Sequence, residues 1–108
     1  MEILNIAASA LASAGQAARI HAYNIVNANS VSTNNALGTS TPFKPQAPAF
    51  SPIVNGGGVA VFTQQIDQPV NLITETLGLI TASHQYKAAA DLLRRADEMH
   101  ATLLRTFA

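Results

Sequence analysis

The chain has 108 residues, with 6 Lys plus Arg set against 6 Asp plus Glu and no cysteine. That length allows one domain at most, the zero net charge gives no long-range field to gather nucleic acid or acidic lipid, and the lack of thiols excludes a disulfide framework or a thiolate metal site. Only 11% of residues are charged, against roughly 25% in ordinary globular domains, while 48% are hydrophobic; a surface so short of charge suits a chain held inside an assembly.

Met1-Glu2-Ile3-Leu4-Asn5 has neither the basic start nor the leucine-rich core of a secretory signal. No run approaches the ~18 apolar residues that span a bilayer, so membrane insertion is not expected and any export would keep the N-terminus. From there Leu4, Ala7, Leu11, Ala14, Ala18, His21, Ile25 and Ala28 alternate spacings of three and four, a heptad seam. Its alanines favour helix and permit close approach of a second backbone, and Gly15 is its one weak residue, at about 1 kcal/mol relative to alanine. The spacing predicts a helix over Ile3–Asn29, ended by the polar run from Asn27 to Asn35, whose side chains compete for backbone hydrogen bonds.

Residues 30–66 carry Pro42, Pro45, Pro48, Pro52 and the run Gly56-Gly57-Gly58, which excludes a long helix. The polar tract Ser30–Thr41 reads as a mobile linker. Val59–Ile66 reads as a strand and Ala49–Val54 as a weaker one that Pro52 confines to an edge. Asn55-Gly56-Gly57 would supply the positive-φ positions of a hairpin turn between them.

The heptad spacing returns through Leu72, Leu79, Ala82, Tyr86, Ala89, Leu93, Ala96, His100, Leu103 and Phe107, with Glu75 as the one break. It predicts a second helix over Pro69–Thr106, capped by Asp67 or Asn71, with Gly78 a tolerated weak point. The fold class expected is mainly α: long N- and C-terminal helices forming an antiparallel coiled-coil hairpin, with an extended or short β-hairpin segment between them. The divisions are 1–29, 30–66 and 67–108, one structural unit. Small residues of the first helix would face Leu79, Tyr86, Leu93 and Leu103 of the second. At 1.5 Å per residue the helices are roughly 40 and 57 Å long, so the second overhangs. Apolar residues beside the seams, among them Ile3, Ile6, Ile20, Ile73, Leu77, Ile80, Leu92, Met99 and Leu104, form a second stripe of the kind that marks an interface.

No catalytic or cofactor constellation converges, and no enzyme, metal or cofactor is expected. His21 and His100 lie on the seams, where a hydrogen-bonded packing role is expected, and His84 lies off them. In an antiparallel hairpin His21 would sit near Leu79 to Gln85 and His100 near Leu4 to Leu11, too far apart to share a metal. Asp97 and Glu98 point apart on a helix and cannot act as a paired acid and base; they are expected to pair with Arg94, Arg95 or a neighbouring subunit. The glycine run lacks the lysine of a phosphate loop, and Arg94-Arg95 is too small for a nucleic-acid patch.

The run Ile6-Ala7-Ala8-Ser9-Ala10-Leu11-Ala12-Ser13, followed by Asn24-Ile25-Val26-Asn27-Ala28-Asn29-Ser30, resembles the N-terminal signature of flagellar basal-body rod and hook proteins. Val70-Asn71-Leu72-Ile73-Thr74-Glu75, Tyr86-Lys87-Ala88-Ala89 and Arg95-Ala96-Asp97-Glu98-Met99 to Leu103-Leu104 resemble the family's C-terminal pattern, the more specific of the two. The short middle is most like the small proximal-rod, FlgC-like members. Tyr23 stands at the first of the family's paired asparagines, Arg95 at a usual threonine, and the turn that follows the first signature is absent.

The resemblance implies a structural subunit of the periplasmic rod of the flagellar basal body, exported without a cleaved signal peptide by the flagellar type III apparatus. Its terminal helices would polymerise with copies of itself and other rod proteins and transmit torque. Packing is expected from Leu11, Ile25, Leu79, Tyr86, Leu93 and Leu103, with Asn24, Asn27, Asp97 and Glu98 at polar contacts. The asparagines Asn24, Asn27 and Asn29 carry two readings side by side: they end the helix, or they hydrogen-bond across subunits and set register. The rival function is a soluble helical-hairpin binding module or flagellar export adaptor that holds one partner helix.

Overall fold

A computed structural model of the chain describes residues 2–34, 38–54 and 57–107. Its elements are α1 (Glu2–Val26), β1 (Val31–Asn34), β2 (Thr39–Pro42), β3 (Gln46–Pro52), β4 (Val59–Gln65) and α2 (Leu72–Phe107). The molecule is mainly helical and elongated, 72 × 27 × 18 Å, with a radius of gyration of 19.1 Å, where a compact domain of this length would have about 13 Å.

α1 ends three residues before the expected Asn29. The Asn27 side-chain amide donates to Tyr23 O at 2.9 Å, joining the Asn27 N–H, which donates to the same carbonyl at 3.1 Å. The chain then turns, with Ser30 N donating to Asn27 O. Competition by a short polar side chain for a helical carbonyl accounts for the stop. Beyond it, the tract read as a mobile linker instead forms an antiparallel β1–β2 hairpin, Val31 opposite Pro42 and Asn34 opposite Thr39. Val and Thr suit a pleated strand, and Gly38 supplies a left-handed φ of 64°. The base of the hairpin is tied by Phe43 N donating to Ser30 O, and the Phe43 ring meets Tyr23 edge-on at 5.5 Å.

β3 and β4 form the expected hairpin, with Gln46 opposite Gln65 and Pro52 opposite Val59. Asn55 and Gly56 of the expected turn lie outside the described residues, while Gly57 and Gly58 have φ of 74° and 104°. The strands lie along α1. From Gln46 to Pro52 a strand rises about 20 Å, close to the distance along α1 from Asn24 to between Ser9 and Ser13 at 1.5 Å per residue. Both ends of the sheet can therefore be anchored to one helix.

α2 starts at Leu72 rather than Pro69 because Asn71 is its cap, its Oδ1 accepting from Ile73 N at 3.0 Å and Thr74 N at 3.3 Å. The other candidate cap, Asp67, pairs instead with Lys44 at 2.6 Å. α2 runs antiparallel to α1, with Tyr86 over Gly15 and His21 against Gly78. The buried positions of α2 are Glu75, Ala82, Ala89 and Ala96, a strict seven-residue repeat, and Ala7 and Ala14 are buried on α1. The deepest positions of α2 are thus alanines and Glu75 rather than the expected Leu79, Tyr86, Leu93 and Leu103. The most buried residues of both helices are small or polar, Gly15 lies against Tyr86 as expected, and Leu79 and Leu93 are half-buried while Tyr86 and Leu103 are exposed. A second buried line on α1, Ser13, Ala17, Ile20 and Asn24, lies on the side of the β3–β4 hairpin. That hairpin covers part of the stripe expected to be free.

At 1.5 Å per residue, the 36-residue α2 outreaches the 25-residue α1 by about 16 Å, and residues 101–107 are exposed on every side. Among the described residues no helix is long and apolar enough to cross a membrane.

Candidate functional site

Three elements converge on one buried side chain. Asn24, in the last turns of α1, has no exposed surface. Its Oδ1 accepts from Gln46 N at 3.0 Å and its Nδ2 donates to Gln46 O at 2.6 Å, so the amide pairs with the backbone at the start of β3 as a neighbouring strand would. The same Nδ2 donates to Glu75 Oε2 at 3.0 Å. That oxygen also meets His21 Nδ1 at 2.7 Å. Glu75 is 5% exposed, and a carboxylate at that depth needs hydrogen-bonding partners; His21 and Asn24 supply them. Gly78 makes room for His21, since a Cβ there would fall on the imidazole ring.

Glu75 is therefore not a break in the α2 seam. It occupies the same heptad line as Ala82, Ala89 and Ala96 and faces polar partners on α1. His21, expected near Leu79 to Gln85, sits about a turn earlier, against Glu75 and Gly78, because the Glu75 carboxylate draws the imidazole to the first turn of α2. The two segments that carry the family resemblance meet here: Asn24 opens the asparagine run of the first, and Glu75 closes the Val70–Glu75 run of the second.

The far end of the β3–β4 hairpin is held by serines. Ser9 Oγ and Ser13 Oγ each donate to Val59 O at 2.8 Å, and Val59 N donates to Ser9 Oγ at 2.7 Å. Gly58, just before, has a positive φ, and a Cβ on it would lie 2.5 Å from Ser9 Oγ. Beside this clasp an apolar groove of about 470 Å³ runs among Ala10, Ala14, Phe50, Val59, Ala89 and Leu92.

The other expected site residues are spread along the helices. Leu11 and Tyr86 come together beside Gly15 in a shallow groove. Ile25 is half-buried. Asn27 closes α1 through Tyr23 O, and its Oδ1 accepts from Ser30 Oγ at 3.3 Å. Asp97 and Glu98 are exposed, Glu98 pairing with Arg94 at 3.1 Å. Arg94 and Arg95 also hold Asp91, at 2.8 and 3.0 Å, and these hydrogen bonds keep the Asp91 carboxyl below its ordinary range. Leu103 belongs to the overhang.

His21 makes the kind of hydrogen bond expected of it on the seam, whereas the contacts of Ser9, Ser13, Gly78 and Glu75 were not singled out by the apolar periodicity. The available signal was polar: Asn24, His21 and Glu75 are hydrophilic residues on mostly apolar stripes.

The uncovered surface belongs mainly to α2. Leu72, Ile73, Leu77 and Ile80 are 53, 73, 59 and 49% exposed in its first turns, and Met99, Leu104 and Phe107 are 64, 60 and 83% exposed near its end. Exposed apolar patches of this kind are common where proteins meet partners. Residues 69–106 match the family model described as flagellar basal body rod FlgEFG protein C-terminal. The match spans about a third of the chain and takes in Asn71, Glu75 and nearly all of α2. No curated protein matches the sequence.

Proposed function

We propose that this chain is a non-enzymatic structural subunit of the bacterial flagellar basal-body rod, of the short proximal, FlgC-like kind. The observation that carries the proposal is a coincidence of place. The segment similar to the rod family is the helix that outreaches its partner and leaves Leu103, Leu104 and Phe107 uncovered. In this reading the overhang and the exposed first turns of α2 contact copies of the chain and other rod proteins, α1 and α2 pack as a coiled-coil hairpin, and torque passes through the packed helices. The chain reaches the periplasmic rod through the flagellar type III export apparatus.

Two measurements test the proposal. Purified basal bodies should contain this polypeptide, and removing its gene should remove the rod; basal bodies intact without it would end the proposal. The rival, a hairpin binding module or export adaptor, draws on α1 already packing along α2 within a single chain. It predicts a compact monomer whose mass by light scattering does not change with concentration, whereas a rod subunit grows into larger species. Replacing Asn27 by alanine bears on register: its bonds to Tyr23 and Ser30 lie within the chain, so altered rod assembly with the fold retained would show a contact between subunits.

A further inference from the structure

The β3–β4 hairpin is attached to α1 at two places that differ in kind. The clasp of Ser9 and Ser13 on Val59 uses only α1 and β4. The Asn24–Gln46 attachment has a third participant, because the amide nitrogen that donates to Gln46 O also donates to Glu75 of α2. We propose that Glu75 couples the docking of α2 to the seating of the hairpin: the base of β3 is held on α1 only while the first turns of α2 are in place, and the tip is held regardless.

The chemistry of the amide supports this. An asparagine side chain can turn over, exchanging its oxygen and nitrogen. In the observed orientation the donor faces Gln46 O and Glu75, and the acceptor faces Gln46 N. Turned over, the oxygen would meet a carbonyl and a carboxylate while the nitrogen met an N–H. Gln46 and Glu75 therefore favour the same orientation, and Glu75 reinforces the one that fits β3. A carboxylate drawing on Nδ2–H also polarises the amide and strengthens Oδ1 as the acceptor for Gln46 N. His21 braces the carboxylate on the same oxygen at 2.7 Å.

The position of Glu75 adds a second line of support. It stands on the buried heptad line of α2, where the next three members are alanines. An apolar residue there would serve the contact between the helices, so the carboxylate is explained by what it does for Asn24 and His21. Gln46 N is bonded to the Asn24 side chain, and its exchange with solvent reports the coupling at one residue.

Amide exchange measured by NMR on the full chain tests the proposal, comparing the native protein with Glu75→Leu, Glu75→Gln and Ser9→Ala. Glu75→Leu should speed exchange at Gln46 at least tenfold while Val59 and the amides along the α1–α2 seam keep their rates. Glu75→Gln, which retains the shape and one acceptor oxygen, should give a smaller change at the same residue. Ser9→Ala should do the reverse, freeing Val59 and sparing Gln46. Unchanged exchange at Gln46 in Glu75→Leu would overturn the coupling. So would a uniform rise at Gln46, Val59 and the seam, which would make Glu75 a general stabiliser. If Glu75→Leu does not fold, Glu75→Gln decides on the same criteria.

Discussion

Two glycines on facing helices show how far a residue's neighbours decide its role. Both look like weak points in a helix, yet a Cβ on Gly15 would rest at ordinary contact distance from Tyr86, whereas one on Gly78 would strike His21. Gly15→Ala should therefore raise the melting temperature, by up to the ~1 kcal/mol difference in helix propensity. Gly78→Ala should lower it, because about 1–3 kcal/mol of overpacking outweighs the same propensity gain. Thermal unfolding followed by circular dichroism distinguishes them by sign. Asn24→Ala should cost more, roughly 3 kcal/mol, since it leaves Gln46 N, Gln46 O and Glu75 short of partners in a buried place; denaturant titration measures it. Tyr23, where the resembling signature has an asparagine, has a local role as the ring that Phe43 meets edge-on.

At the scale of elements, each terminus has a mechanism. Asn71→Ala should destabilise α2 by about 1 kcal/mol, because the N–H groups of Ile73 and Thr74 lose their acceptor; the melting temperature checks it. On the exposed face of α2, Asp91 sits between Arg94 and Arg95 with its carboxyl held below the ordinary value of 3.8, first by the hydrogen bond from Arg94. A depressed carboxyl contributes stability above its unfolded pKa and loses it as pH falls through the folded one. The contribution of this pair should therefore disappear only below pH 3.8. An NMR titration should place the Asp91 midpoint under that value and move it upward in Arg94→Gln. The elements themselves were legible to different degrees. The seven-residue repeat marked both helices, and the prolines and glycines marked the β3–β4 hairpin. β1–β2 was not legible, because its strands are four residues long and their Ser, Thr and Asn suit a loop as well as a strand.

For the molecule as a whole, the unequal lengths of α1 and α2 are the governing fact. An overhang exposed all round contributes little to the fold of one copy and much to the contact area available to another. Removing residues 101–107 should leave the cooperative unfolding of the remainder nearly unchanged. Under the proposed rod function it should also lower the gain in mass with concentration that light scattering would record. A truncated chain that unfolds at much lower temperature, or that associates as strongly as the full one, would show that the overhang has a different role.

The sequence by itself determined the two helices, the fact that they must pair antiparallel if they pair within one chain, and the excess of apolar surface, because these follow from periodicity and length alone. It also carried the motif asparagines and Glu75, but not their meaning. A heptad pattern places apolar residues on a stripe and is silent on which polar residues will meet across it. Only the tertiary structure decided that Asn24, His21, Glu75 and Gln46 share one place, that alanines and Glu75 rather than leucines take the deepest positions of α2, and that β3–β4 covers the second face of α1. Those outcomes depend on the height at which α2 docks on α1 and on a hairpin whose length matches the spacing of its anchors. Both are relations between segments distant in the chain, and no local pattern encodes them.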